Sequence, residues 1–128
     1  MIRLAVALLI ALAGPASAFA NWQVYHEDDR IIASFDYVTF APFHNQPSVW
    51  VRWHNVSKKD EYGGRKIQFS ADCGKQRLFE INSIPYDHKG NFLEERSHYD
   101  SPKEYRLRHN KLNEATYRLL CRQGQKEK

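Results

Sequence analysis

The side chains with the greatest chemical potential in this sequence are two cysteines, Cys73 and Cys121, and six histidines. The histidines, His26, His44, His54, His88, His98 and His109, are scattered through the chain. No two stand at i, i+2 or i, i+4, the spacings that turn two imidazoles toward one metal. No metal or other cofactor is therefore expected. Glu94-Glu95 reads as a charged edge rather than as a paired acid and base. No nucleophile elbow, phosphate-binding glycine loop or His-Glu-x-x-His run is present, so the chain is not read as an enzyme. The cysteines have a simpler use. Two cysteines in an exported chain, with no C-x-x-C run and no His/Cys zinc spacing, pair as a structural disulfide.

Export follows from the first twenty residues. Arg3 supplies a charged start, residues 4–13 are an unbroken apolar run, and Gly14-Pro15 precedes small residues spaced for a signal peptidase, at Ala18 or Ala20. Residues 1–20 are accordingly read as a secretory leader. The run falls short of the roughly 20 apolar residues that span a bilayer, and no second run follows, so no stable membrane insertion is expected. Removing the leader leaves 108 residues, enough for one core and one domain over 21–122, followed by a polar tail over 123–128. The formal net charge of +4, or +3 without Arg3, is interleaved along the chain. It is not concentrated on one segment as in a nucleic-acid-binding domain, so no nucleic-acid partner is expected.

The elements that position the cysteines read mostly as strands. Segment 66–73 alternates, with Ile67, Phe69, Ala71 and Cys73 on one side and Lys66, Gln68, Ser70 and Asp72 on the other. A turn at Gly74, assigned the positive φ, leads into a second strand ending at Ile84-Pro85, which puts Cys73 at a hairpin tip. Upstream, residues 22–25 begin a strand. Segment 30–40 continues as another, with Ile31, Ala33, Phe35 and Tyr37 inward. Residues 41–47, with two prolines, read as a loop. Segment 48–54 then places Val49, Val51 and Trp53 on one face and Trp50, Arg52 and His54 on the other. Trp50 is expected to be covered by a helix or by strand ends.

Residues 55–65 read as a polar, mobile loop, 86–91 as a turn, and 92–99 as a charged edge strand. Ser101-Pro102-Lys103-Glu104 has the capping-box pattern of a short helical turn. A terminal helix begins near Asn110 or Asn113 and runs to Cys121. Its stripe of Leu112, Ala115 and Leu119 points away from Cys121, so a face of Tyr117, Leu120 and Cys121 is preferred. The expected fold is α+β: an antiparallel sheet of five to six strands with a C-terminal helix packed on it and one disulfide.

Taken together, the leader, Trp22, the Phe35-Asp36 strand, the VWVRW run, the hairpin with Asp72-Cys73, the Tyr86-Asp87 to Gly90 turn and the helix closing on Cys121 resemble the surface-adhesin protein E family of Gram-negative bacteria. The resemblance spans nearly the whole chain after the leader. It implies an antiparallel sheet backed by a C-terminal helix, a Cys73–Cys121 bond, and attachment to host extracellular matrix and plasma proteins, plasminogen among them. Tyr105 stands where the family has a tryptophan ahead of its last helix, and residues 110–113 replace its Pro-Gly-Ser entry. The adhesin that names the family carries a lipid anchor, and no lipid-attachment cysteine follows this leader.

Two functions are carried forward. One is an exported binding module that meets host proteins through an exposed sheet face and the basic residues Lys58, Lys59, Arg65 and Lys66. Within it, Lys128 at the end of the polar tail offers the ammonium and carboxylate that lysine-binding modules recognise. The other is a periplasmic protein that uses the same scaffold for a task in the cell envelope.

Overall fold

The computed structural model describes residues 21–124. The leader read over 1–20, and Lys128 with the end of the tail, lie outside the described residues. The described residues form eight strands: β1 (Trp22–Glu27), β2 (Ile31–Asp36), β3 (Ala41–Phe43), β4 (Gln46–Asn55), β5 (Gly64–Asp72), β6 (Arg77–Tyr86), β7 (Arg96–Ser97) and β8 (Lys103–Tyr105). Helix α1 (Lys111–Arg118) follows and widens into a π-helical segment, Leu119–Gly124. All pairings are antiparallel, in the order β1-β2-β4-β5-β6-β7, with β3 beside the start of β4 and β8 beside the start of β6. This is the expected sheet, enlarged by short edge strands.

The alternation read in β4 and β5 sets the core. Val49, Val51, Ile67, Phe69 and Ala71 are fully buried, and Trp53 nearly so. Leu119 and Leu120 close over them from the helical end. The preferred face of the terminal helix does pack on the sheet, with Leu120 fully buried and Tyr117 and Cys121 partly buried against the core, but the buried face is wider than expected. Asn113 and Thr116 are the buried residues of α1, followed by Leu119 and Leu120. The π segment supplies the reason. Its i→i+5 winding adds a residue per turn and shifts the phase, so adjacent leucines both face the sheet while Cys121 still reaches Cys73. The Cys73–Cys121 bond spans a Cα–Cα distance of 5.6 Å, and Tyr117 Oη–H donates to the Cys73 carbonyl at 2.9 Å.

A directional chain of hydrogen bonds also ties helix to sheet. Trp53 Nε1–H donates to Tyr25 Oη at 2.8 Å, and Tyr25 Oη lies 2.8 Å from Thr116 Oγ1. Thr116 Oγ1 in turn donates to the Leu112 carbonyl at 2.9 Å. Indole nitrogen only donates and Thr116 has spent its one proton, so the Tyr25 hydroxyl must donate to Thr116. The chain requires a neutral phenol, and burial pushes the Tyr25 pKa up to about 12. Burial likewise raises Tyr105 to about 12. Both bind their proton more tightly folded than unfolded, where a phenol titrates near 10. Their stabilisation is therefore full below pH about 10 and is lost as pH climbs from about 10 to about 12. In an absorbance titration, Tyr25 and Tyr105 should ionise only as the protein unfolds, above pH about 10. Ionisation of all seven tyrosines near pH 10 with the fold intact would contradict this.

Several local expectations are corrected. Residues 41–47 are a tight hairpin rather than a loop. His44 and Asn45 both take positive φ, 50° and 65°, the conformation of a two-residue turn that matches strand twist, and Pro42 sits on the edge strand opposite Pro47. Tyr37 is exposed because β2 stops at Asp36, whose carboxylate caps a 3-10 turn, Tyr37–Thr39, by accepting from Val38 N. At the β5–β6 tip the positive φ falls on Gln76, at 55°, and not on Gly74. Ser101–Glu104 does not form a helical turn. Lys103–Tyr105 pairs with β6 instead, and Arg77 grips Glu104 with two bonds of 3.1 and 2.7 Å. The edge segment over 92–99 keeps only Arg96–Ser97 as a strand, with one bridge from Phe92 to Tyr86.

A candidate binding face on the open side of the sheet

The helix covers one face of the sheet, and the opposite face carries the polar half of each alternating strand. Register aligns its residues in rows across the strands. Ser34, Arg52, Lys66 and Ile84 form one row; Trp50, Gln68, Asn82 and Ser97 form the next; His54, Gly64 and Tyr86 form the third. Trp50, expected to be covered, is half-exposed on this helix-free face.

The central row is electrostatically unusual. Arg52 and Lys66 are direct cross-strand partners, a placement in which like charges repel. Among the described residues, neither has a carboxylate within ion-pair distance. Indole rings occupy the place of counter-ions. Arg52 Cζ lies 4.6 Å from the Trp22 ring centroid, and Lys66 Nζ lies 5.2 Å from that of Trp50 and 5.9 Å from that of Trp22. Each such contact is worth about 0.5–1 kcal/mol at an exposed site. Trp22 reaches this position from the edge strand β1.

The flanking rows are orderly. Asn82 Nδ2–H donates to Gln68 Oε1 at 2.7 Å. His54 Nδ1 lies 2.9 Å from Tyr86 Oη, with the two rings stacked at 14°. Gly64 makes this possible, because a Cβ there would strike the Tyr86 phenol and the Trp53 carbonyl. Burial raises the Tyr86 pKa while the positive charge of Arg52 opposes the shift, so the field of that cation extends across the face.

The basic residues singled out in the sequence do not gather into one patch. Lys58 and Lys59 stand exposed on the loop over 56–63. That loop is tied down at Asn55 N to Gly63 O, Gly63 N to Tyr86 O, and His88 Nε2 to Asp60 O. Arg65 and Lys66 belong to β5, not to the loop, and point to opposite faces. Arg65 turns to the helix side and Lys66 to the open face, while Lys128 lies outside the described residues.

Arg65 enters a second cluster, around buried Glu80. A bulge in the β5–β6 pairing, between Gln68 and Phe69, sets Glu80 opposite Phe69 and so turns it inward. One carboxylate oxygen takes the Tyr105 hydroxyl at 2.5 Å and Arg65 Nη1 at 3.5 Å, and His98 Nε2 stands 3.1 Å from the other. With donors from β5 and β8 on one oxygen and His98, just past β7, beside the other, Glu80 serves as a clasp for the sheet's far edge. Its residues span 65 to 105, and no sequence motif marks them. Among the described residues, no three His, Cys, Asp or Glu side chains converge as metal ligands, and no helix is long and apolar enough to cross a membrane.

The alternation in β4 and β5 makes the membership of Trp50, Arg52 and Lys66 in one face readable from sequence. The direct opposition of Arg52 to Lys66, and the arrival of Trp22, are not. The chain matches no protein-family model, no curated protein and no solved structure.

Proposed function

We propose that this protein is an exported, non-enzymatic binding module that holds an acidic partner against the open face of its sheet, with host extracellular matrix or plasma proteins as the partner class. The observation that carries the reading is the Arg52–Lys66 pair. Two cations held side by side on a half-exposed surface, braced by indoles and with no carboxylate in ion-pair range among the described residues, form a fixed positive site that an anionic partner neutralises. The similarity to surface-adhesin protein E supports the partner class.

A second reading, a periplasmic protein with an envelope partner, is favoured by one fact. Cys73 and Cys121 are bonded to each other, so neither cysteine of this sequence is free to carry a lipid. Fractionating cells into periplasm, outer membrane and medium separates the two locations. Binding is tested with immobilised matrix and plasma proteins. The double variant Arg52→Gln/Lys66→Gln should bind about tenfold more weakly, equivalent to ~1.4 kcal/mol, and with less dependence on salt. Unchanged affinity and unchanged salt dependence in the double variant would exclude the face.

A further inference from the structure

We infer that the cluster of Trp22, Arg52, Lys66 and Trp50 is a subsite for a linear acidic polysaccharide, a glycan bearing carboxylates or sulfates along its length. The inference rests on the proposed use of the open face and names the chemistry that the face recognises. Charge comes first. Arg52 and Lys66 lie on adjacent strands, about 5 Å apart at their Cβ atoms, a spacing that serves neighbouring anionic groups of one chain. The hydrogen-bonding groups beside them are neutral amides. The Asn82-to-Gln68 bond leaves the Gln68 amide protons and the Asn82 carbonyl oxygen without a side-chain partner among the described residues. Together they offer donors and acceptors, the complement of sugar hydroxyls, which do both.

The other polymers fit less well. Arg52, Lys66 and Trp50 lie on β4 and β5, interior strands paired on both sides, so a peptide finds no free backbone edge beside the two cations, and only Trp22 comes from the edge strand β1. An acidic peptide is also served poorly by the cluster's lack of an apolar pocket. An apolar hollow lined by Phe43, Ser70, Phe79 and Pro102 lies instead toward the β3 end of the face. Bases of a nucleic acid would stack on indoles, but the Trp22 and Trp50 rings already carry the protein's own cations. A flexible anionic chain that lies flat across the strands needs none of these features.

The test uses a heparin-derived oligosaccharide and the oxidised protein, with affinity measured by calorimetry at physiological salt. Wild type should bind. Arg52→Gln/Lys66→Gln should lose about tenfold or more, with near-ultraviolet circular dichroism showing the fold retained. Lys58→Gln/Lys59→Gln, on the loop, should bind as wild type. Trp50→Phe, which keeps an aromatic ring under Lys66, should lose less than Trp50→Ala. Completely desulfated oligosaccharide separates the two anion sources: retained binding assigns the uronate carboxylates, and lost binding assigns the sulfates. Oligosaccharide binding that the Arg52/Lys66 variant leaves intact would overturn the subsite. No oligosaccharide binding, alongside Arg52- and Lys66-dependent binding to polyglutamate or to a matrix protein, would overturn the glycan inference while leaving the open face as the binding surface.

Discussion

Reduction of the Cys73–Cys121 bond is expected to lower the unfolding free energy by about 4 kcal/mol, the loop-closure entropy of a cross-link spanning 48 residues. That is a large share of the roughly 5–15 kcal/mol available to a small domain. The melting temperature should fall by roughly 15 °C. The loss has a place as well as a size. The bond fastens the π-helical end of the chain to the β5–β6 turn, and that end carries Leu119 and Leu120 into the core. Amides of α1 should therefore exchange fastest in the reduced protein. Cys73→Ala/Cys121→Ala, compared with wild type by denaturant unfolding, measures the effect. Coincident curves would show that the helix stays docked without its cross-link.

Replacing Glu80 should have the next largest consequence. Glu80→Ala leaves Arg65 and Tyr105 without the acceptor they share and His98 without the carboxylate beside it, and breaking a buried charged pair in this way costs about 3–5 kcal/mol. Because Arg65 is about one-third exposed and can turn toward water, the lower end of that range is expected. Glu80→Gln keeps an oxygen for Tyr105 and should cost less. Hydrogen exchange should show β8 released first, since its short pairing to β6 runs only from Glu80 opposite Lys103 to Leu78 opposite Tyr105. A Glu80→Ala protein within about 0.5 kcal/mol of wild type would place the clasp among incidental contacts.

What the sequence could disclose was set by the range of each interaction. The alternation of Val49, Val51 and Trp53, and of Ile67, Phe69 and Ala71, is a local consequence of burying one face, and it reads directly. Lys103–Tyr105 shows the opposite case. Its local pattern is that of a helix cap, but Tyr105 is held by Glu80, 25 residues away, and strand pairing prevails. Residues 41–47 were obscured by two prolines, since their hairpin depends on the left-handed conformations of His44 and Asn45. The terminal helix is legible in its Tyr117, Leu120 and Cys121 face but not in the burial of Leu119 beside it, because the phase changes there and no residue announces a π turn. The same limits apply to the binding face. Its strands assign Trp50, Arg52 and Lys66 to one side, whereas the opposition of Arg52 to Lys66 depends on the register fixed by the 56–63 loop. The seat of Trp22 depends on β1, whose pairing to β2 shifts between Val24 and His26.

The three tryptophans provide the most direct test of the open face, because Trp22 and Trp50 stand on it and Trp53 is buried against the helix. Each indole N–H gives its own nuclear magnetic resonance signal, and Trp53 is identified by its bond to Tyr25 Oη. Titrating the labelled protein with a binding-competent acidic partner should move the Trp22 and Trp50 signals together and leave Trp53 in place. Movement of Trp53 alone, or saturation of binding with Trp22 and Trp50 unmoved, would contradict the assignment of function to this face.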